Sequence, residues 1–245
     1  MASEATQDAR ARSSIPSLKE RRQRYRQETV DAILAAARAV MQEQGVAALN
    51  LNEVARRLGV SGQALAKYFP NKAALYDALF LLGQRLFREA EEELWRTSAP
   101  DWERIRRWFE IRLALACEHP DLYSLIWGDA VPGFTSSPEE IRAMLAGAQR
   151  GIGEVIAAGA IDARMPPERV VDILMAVRHG IIAEHLAKRT FLPPGSDRFS
   201  GLIADVLAVF EQAWEPEWQR SPRATDLERT RGADQQKGGS TTERG

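Results

Sequence analysis

The chain has 245 residues, 44% of them hydrophobic, enough for one or two domains with real cores. Its 33 Lys and Arg and 34 Asp and Glu leave a net charge of −1, so the chain as a whole is no polycation. The single cysteine, Cys117, excludes an internal disulfide; with no run of about 18 apolar residues and no apolar segment of a secretory signal, a cytoplasmic protein without membrane contact is expected.

Charge is unevenly placed. Residues 1–75 hold 12 basic and 7 acidic side chains, a surplus of +5, whereas the remainder holds 21 and 27, or −6. A polyanion would therefore meet the N-terminal end. Residues 1–17 are too small and polar to offset their ordering entropy and are expected to form a disordered tail. Ser17 and Glu20 stand at capping-box spacing around the start of LKERRQRYRQ, in which Arg21, Arg22, Arg24 and Arg26 crowd together. That run reads equally as a solvated extension of the first helix or as an arm touching phosphates or the minor groove. The helix continues to Gln44, with Val30, Ile33, Leu34, Ala37, Val40 and Met41 as its buried stripe and Gly45 ending it.

From Asn50 to Lys72 the punctuation becomes dense. Asn50 is a good N-cap, and Glu53 stands where a capping box would reach back to its N–H. Leu51, Val54, Ala55 and Leu58 make one apolar stripe, and Gly59 falls where a left-handed residue ends a helix. Val60 can turn inward. Ser61 is a second N-cap, able to accept from the N–H of Gln63 or Ala64, and the helix it opens must stop at Phe69 because Pro70 disfavours helical geometry before it. Gly59-Val60-Ser61 is then the corner of a helix-turn-helix. The second helix is far shorter than the roughly 12 to 15 residues an isolated helix needs, so Leu65 and Phe69 must hold it by packing. Its other side shows Gln63, Ala64, Lys67 and Tyr68, which can read an adenine edge, touch a thymine methyl or reach guanine and phosphate. Asn71 caps a third helix whose first residue, Lys72, faces the positive end of the helix dipole and calls for an anion such as a DNA phosphate.

Over roughly residues 26 to 80 the chain resembles the N-terminal domain of the tetracycline-repressor (TetR) family of bacterial regulators. The matching pieces are Gly45, Asn50, Val54-Ala55, Gly59-Val60-Ser61, Phe69-Pro70 and Lys72-Ala73-Ala74-Leu75. Ala66 departs from the family's usual phosphate-contacting Tyr, and Gln63 stands where Gly is common. Either Tyr68 replaces the lost contact or the site binds more weakly. The resemblance implies that Asn50, Ser61, Gln63, Ala64, Lys67, Tyr68 and Lys72 form the DNA-binding surface.

The helical pattern from Lys72 runs to about Thr97, roughly 39 Å, long enough to leave a domain at 18–75 and enter a second at 76–216. Gly83, in its middle, is either simply tolerated or permits close approach by a neighbour. Further helices are expected from Asp101 to Glu118, Pro120 to Trp127, Ser137 to Ala160, Pro166 to Arg189 and Ser196 to Trp214, giving nine helices, three plus six, in an all-α fold. Residues 219–245 hold no aromatic and only one large aliphatic, Leu227, and a second disordered tail is expected over 217–245. The last two helices are apolar nearly all round, through Val170, Leu174, Ile181 and Ile182 and through Phe199, Ile203, Leu207 and Phe210. One side of each can close the subunit's core, and the other can meet a twofold partner, which is how TetR-like proteins dimerise.

Between these lie large apolar groups suited to an effector cavity: Trp108, Phe109, Trp127, Phe134, Met144 and Met175. Arg112, on an otherwise apolar face, can meet an anionic ligand or Glu184, and His179 is a ligand contact or a hydrogen-bonded core residue. His119, His179 and His185 do not pair at metal-binding spacing, Cys117 has no zinc partner, and no nucleotide or nucleophile motif occurs; no metal, cofactor or catalysis is expected. The expected function is a homodimeric, one-component transcription factor, a repressor released from a palindromic operator by a small molecule. A DNA-associated adaptor with a protein partner and an α-helical ligand-binding enzyme are the competing classes.

Overall fold

The computed structural model describes residues 17–216 apart from 129–130, 135–137, 163 and 189–200. The tails expected at 1–17 (Ser17 aside) and 217–245, the Ser196 cap and Phe199 lie outside the described residues. Among those described there are nine α-helices and no strand, the all-α architecture expected. They are α1 (Leu18–Gln44), α2 (Leu51–Leu58), α3 (Gly62–Ala66), α4 (Lys72–Thr97), α5 (Trp102–Glu118), α6 (Pro120–Trp127), α7 (Pro138–Ala157), α8 (Pro167–Lys188) and α9 (Gly201–Ala213). A 3₁₀ turn, Val46–Ala48, joins α1 to α2.

The chain packs into two compact units: one ending at Phe87 and including Leu115–Ile141, the other comprising Arg88–Ala114 and residues from Arg142 onward. In the first, the Ser17–Glu20 capping box forms, Ser17 N–H donating to Glu20 Oε2 at 2.7 Å and Glu20 N–H to Ser17 Oγ at 3.2 Å. The buried stripe of α1 is Ile33, Leu34, Ala37, Val40 and Met41, and Val54, Ala55, Leu65, Phe69, Leu75 and Leu79 are buried on the elements that follow. Helix α6 joins this unit. Its Asp121 carboxylate, fully shielded from solvent, accepts from Arg38 Nε at 2.8 Å and Gln42 Nε2 at 3.1 Å on α1, and Arg38 also bonds the His119 ring at 2.9 Å. Gly83 of α4 is required by close approach: a Cβ there would lie 2.6 Å from Ile126 Cδ1 and 3.3 Å from Leu122 Cβ.

The second unit is built round tryptophans. Trp95 and Trp108 lie 5.7 Å apart, and Gly151 of α7 lies so close under the Trp95 ring that a side chain there would overlap it. Trp102 donates to the Ala160 carbonyl at 3.0 Å and stacks on Trp214, which in turn stacks on Phe210. Helix α7 ends at Ala157, sooner than the expected Ala160, because Gly159 takes the left-handed conformation (φ 76°) and Ala160 N–H bonds back to the Val155 carbonyl.

Asp121→Ala should leave Arg38 and Gln42 without their shared acceptor and cost about 3 kcal/mol. Asp121→Asn, which keeps an acceptor oxygen, should cost less. The urea midpoints of the two variants check this.

Candidate nucleic-acid interface

Helix α2 begins at Asn50, whose Oδ1 accepts from Asn52 N–H at 2.9 Å. The capping box expected here does not form: Glu53 is drawn away to Arg56, through bonds of 2.7 and 2.8 Å, and to Arg57 at 2.9 Å. Arg57 also forks onto Glu43 of α1 at 2.6 and 2.8 Å, tying α2 to α1. Gly59 is left-handed (φ 66°, ψ 27°), as the corner requires. Val60 does not turn inward; it is 43% exposed, and its N–H bonds the Ala55 carbonyl. The turn is held by backbone hydrogen bonds, so it does not need Val60 as an apolar anchor.

Ser61 Oγ accepts from Ala64 N–H at 3.2 Å, opening α3. The helix is shorter than expected. It ends at Ala66, and Lys67 and Tyr68 lie in a turn in which Tyr68 and Phe69 N–H both bond the Leu65 carbonyl. A doubly used carbonyl tightens the last turn, bringing Phe69 inward ahead of Pro70. Leu65 and Phe69 are 2% and 7% exposed. On the opposite side Gln63 and Lys67 are exposed, while Ala64 and Tyr68 are half-buried. The Tyr68 ring lies 5.6 Å from the Arg26 guanidinium of α1, a contact that sequence spacing could not reveal because 42 residues of chain separate the pair.

Asn71 caps α4 as expected, accepting from Ala74 N–H at 2.8 Å. Lys72 is exposed, but its ammonium donates to the Ala47 carbonyl at 2.9 Å and lies 5.3 Å from the Tyr76 ring centre. The anion-seeking role expected of Lys72 is thus answered in part by a carbonyl of the 3₁₀ turn. Asn50, Ser61, Gln63, Lys67 and Lys72 are therefore all solvent-facing, with the two caps and Lys72 already serving the backbone.

This is a helix-turn-helix whose short second helix is apolar behind and polar in front, and residues 33–79 match the family model for bacterial regulatory proteins of the tetR family. That segment is a DNA-binding domain of the TetR type. No curated protein matches it in sequence. Among solved structures, it is similar to a protein of unknown function from Rhodococcus sp. RHA1, 25% identical with a TM-score of 0.63, covering 76% of this chain and 95% of that one. It also shares the fold of the TetR family transcriptional regulator PfmR from Thermus thermophilus (18% identical, TM-score 0.54, 74% and 97% covered). A third is the transcriptional regulator FadR from Bacillus subtilis, solved with stearoyl-CoA (18% identical, TM-score 0.58, 73% and 96% covered).

The effector-site candidates divide between the units. Trp127 is half-buried in the first, edge-on to Phe87 at 5.2 Å and stacked on Tyr123 at 4.8 Å. Trp108 and Arg112 are buried in the second, where Met175 and His179 are half-buried; the Met144 side chain lies outside the described residues. Arg112 is buried against Glu91 of α4, a carboxylate the sequence reading passed over, with Nε at 3.0 Å from Oε1. Arg178 shares that oxygen at 3.2 Å and lies 3.6 Å over the Trp108 ring. The available signal was register: Glu91 interrupts the apolar row of Phe87, Leu94 and Trp95 at helical spacing, and Arg178 interrupts that of Leu174, Ile181 and Ile182. Burial, with Arg178 beside it, holds His179 below the ordinary histidine pKa and so favours the neutral ring. Phe134 lines a notch of about 250 Å³ in the first unit with Tyr76 and Lys72, smaller than the roughly 300–1,000 Å³ of usual ligand pockets. Among the described residues no His, Cys, Asp and Glu group could hold a metal, and no helix is long and apolar enough to cross a membrane.

The Arg56 and Arg57 bonds lower the Glu53 carboxyl from 4.5 to about 2. A depressed folded-state pKa means that the ionised group stabilises the head fully above about 4.5. That contribution is lost as pH falls through about 2. A carboxyl NMR titration should therefore find a Glu53 midpoint near 2, and Glu53→Gln should flatten the acid limb of stability in that window. A midpoint at the unperturbed value would contradict the pairing.

Proposed function

We propose that this DNA-binding transcriptional regulator is a homodimeric, one-component repressor that holds a palindromic operator and releases it when a small molecule occupies the second domain. The observation that carries the reading is the two-sidedness of α3: Leu65 and Phe69 are buried while Gln63 and Lys67 face solvent beside a correctly capped corner. Such a helix presents side chains to base edges and phosphates in the major groove. We place the DNA-reading domain at 18–75 and the ligand-binding and dimerisation domain at 76–216, with a cytoplasmic site of action.

One short helix reads few base pairs, so two copies joined by a twofold axis, spaced about one or more turns of DNA apart, supply the missing specificity. Helix α9 supports pairing through the last two helices: Ile203 and Leu207 face inward while Leu202 (38%) and Val209 (64%) are exposed on its outer side. On α8 the exposed positions include Ala176 and Gly180, small residues that let a neighbouring helix approach closely. An effector site in the second domain is supported by three buried donors that meet no acceptor among the described residues, Trp95 Nε1, Trp108 Nε1 and Arg104 Nε, which suit a ligand bearing acceptor atoms among apolar walls. The stearoyl-CoA bound by the fold-sharing FadR is a ligand of that mixed character. Occupancy would favour a conformation in which α4 tilts and the reading heads lose operator spacing, a coupling of about 1–3 kcal/mol.

Selection of genomic fragments followed by fluorescence anisotropy tests the reading. Lys67→Ala should weaken binding to the selected fragment at least tenfold with the dimer intact, whereas Val209→Glu should yield monomers that lose the palindrome. An unchanged Lys67→Ala affinity, or a wild-type chain selecting no fragment, would refute the proposal.

A further inference from the structure

The first half of α1 adds no buried side chain to the head. From Leu18 to Glu28 every residue is exposed, and burial begins only with Thr29 and Val30. A protrusion of 11 residues extends about 16 Å. Yet it is a capped helix and it carries Lys19, Arg21, Arg22, Arg24 and Arg26. Cations in the first turns oppose the helix dipole, and among the described residues no carboxylate pairs with Lys19 or Arg22. Glu20, the one acid in the first turn, is engaged by the cap.

The positions matter more than the number. Residues 19, 22 and 26 continue, by steps of three and four, the row of 30, 33, 37 and 40 that faces the core of the head. One stripe of α1 therefore changes from apolar, where the head lies beneath it, to cationic, where it overhangs the edge. The Arg26–Tyr68 contact fixes where that edge is, because Tyr68 closely follows α3. The overhanging stripe is thus continuous with the surface proposed to read DNA and opposite in charge to a phosphate backbone.

We infer that the first turns of α1 form a second DNA-contact element, in which Lys19, Arg22 and Arg26 engage backbone phosphates flanking the bases read by α3. This rests on the operator-binding reading above. The helix form matters because it holds the cations at fixed phosphate-scale spacing, and the role is sequence-independent anchoring that extends the footprint outward.

The test uses the full chain, the genomic fragment it selects, and two duplexes: the bare palindrome and the palindrome with flanks. On the flanked duplex, Lys19→Ala with Arg22→Ala should flatten the dependence of log affinity on log salt by about 0.9 per cation removed. On the bare palindrome the variant and wild type should converge. Arg21→Ala with Arg24→Ala, on other faces of the same helix, should change the slope far less. Equal slopes for the Lys19/Arg22 variant and wild type on the flanked duplex would overturn the inference, as would an equal loss from the Arg21/Arg24 pair. Either result leaves operator recognition intact provided Lys67→Ala still weakens binding. A wild-type chain with no preferred fragment would remove both readings together.

Discussion

A five-residue helix has no stability of its own, since nucleating the first turn fixes several dihedrals for a single hydrogen bond. Helix α3 exists because Leu65 and Phe69 are withdrawn from water behind it and because Ser61 satisfies one of its open N–H groups. Burying two side chains of that size contributes about 1.5–3 kcal/mol each, which exceeds what the cap and the short backbone ladder supply. The reading surface is therefore a by-product of the core: Gln63 and Lys67 point outward only as long as Leu65 and Phe69 stay in.

The same dependence runs back through the head. Helix α2 is fastened to α1 by Arg57, which bridges Glu53 and Glu43, while α6 is fastened to α1 by the buried Asp121. Exposed ion pairs such as the first contribute little to stability but fix an angle, whereas a shielded carboxylate between two donors is costly to break. Helix α1 thus carries both the reading helices and α6, and α4 runs on from the head into the second unit.

Local punctuation was the legible part of the sequence. Asn50, Gly59, Ser61 and Asn71 mark helix ends through bonds made within a few residues, and Pro120 marks one through its fixed φ at the first helical position, so their effect could be read without knowing the fold. What was hidden involves distant chain or competition for one group. Glu53 was expected to close a capping box, but two arginines on its own helix compete for it, and guanidinium bonds to a carboxylate are stronger than a neutral N–H. Lys72 is partly answered by a carbonyl 25 residues away, and Arg112 meets Glu91 across two helices. Val60, an apolar residue at a corner, stays exposed because the backbone already closes the turn. Periodicity finds faces, but it does not say which charged residue on a face meets which.

The most direct measurement is the affinity of Leu65→Ala for a genomic fragment that the wild-type chain selects, with secondary structure monitored in parallel. Removing that side chain should cost about 2–5 kcal/mol at the brace, abolish selective binding and leave the helices of the second unit folded. Undiminished affinity and selectivity in Leu65→Ala would contradict the account, because the recognition surface would then persist without the packing said to create it.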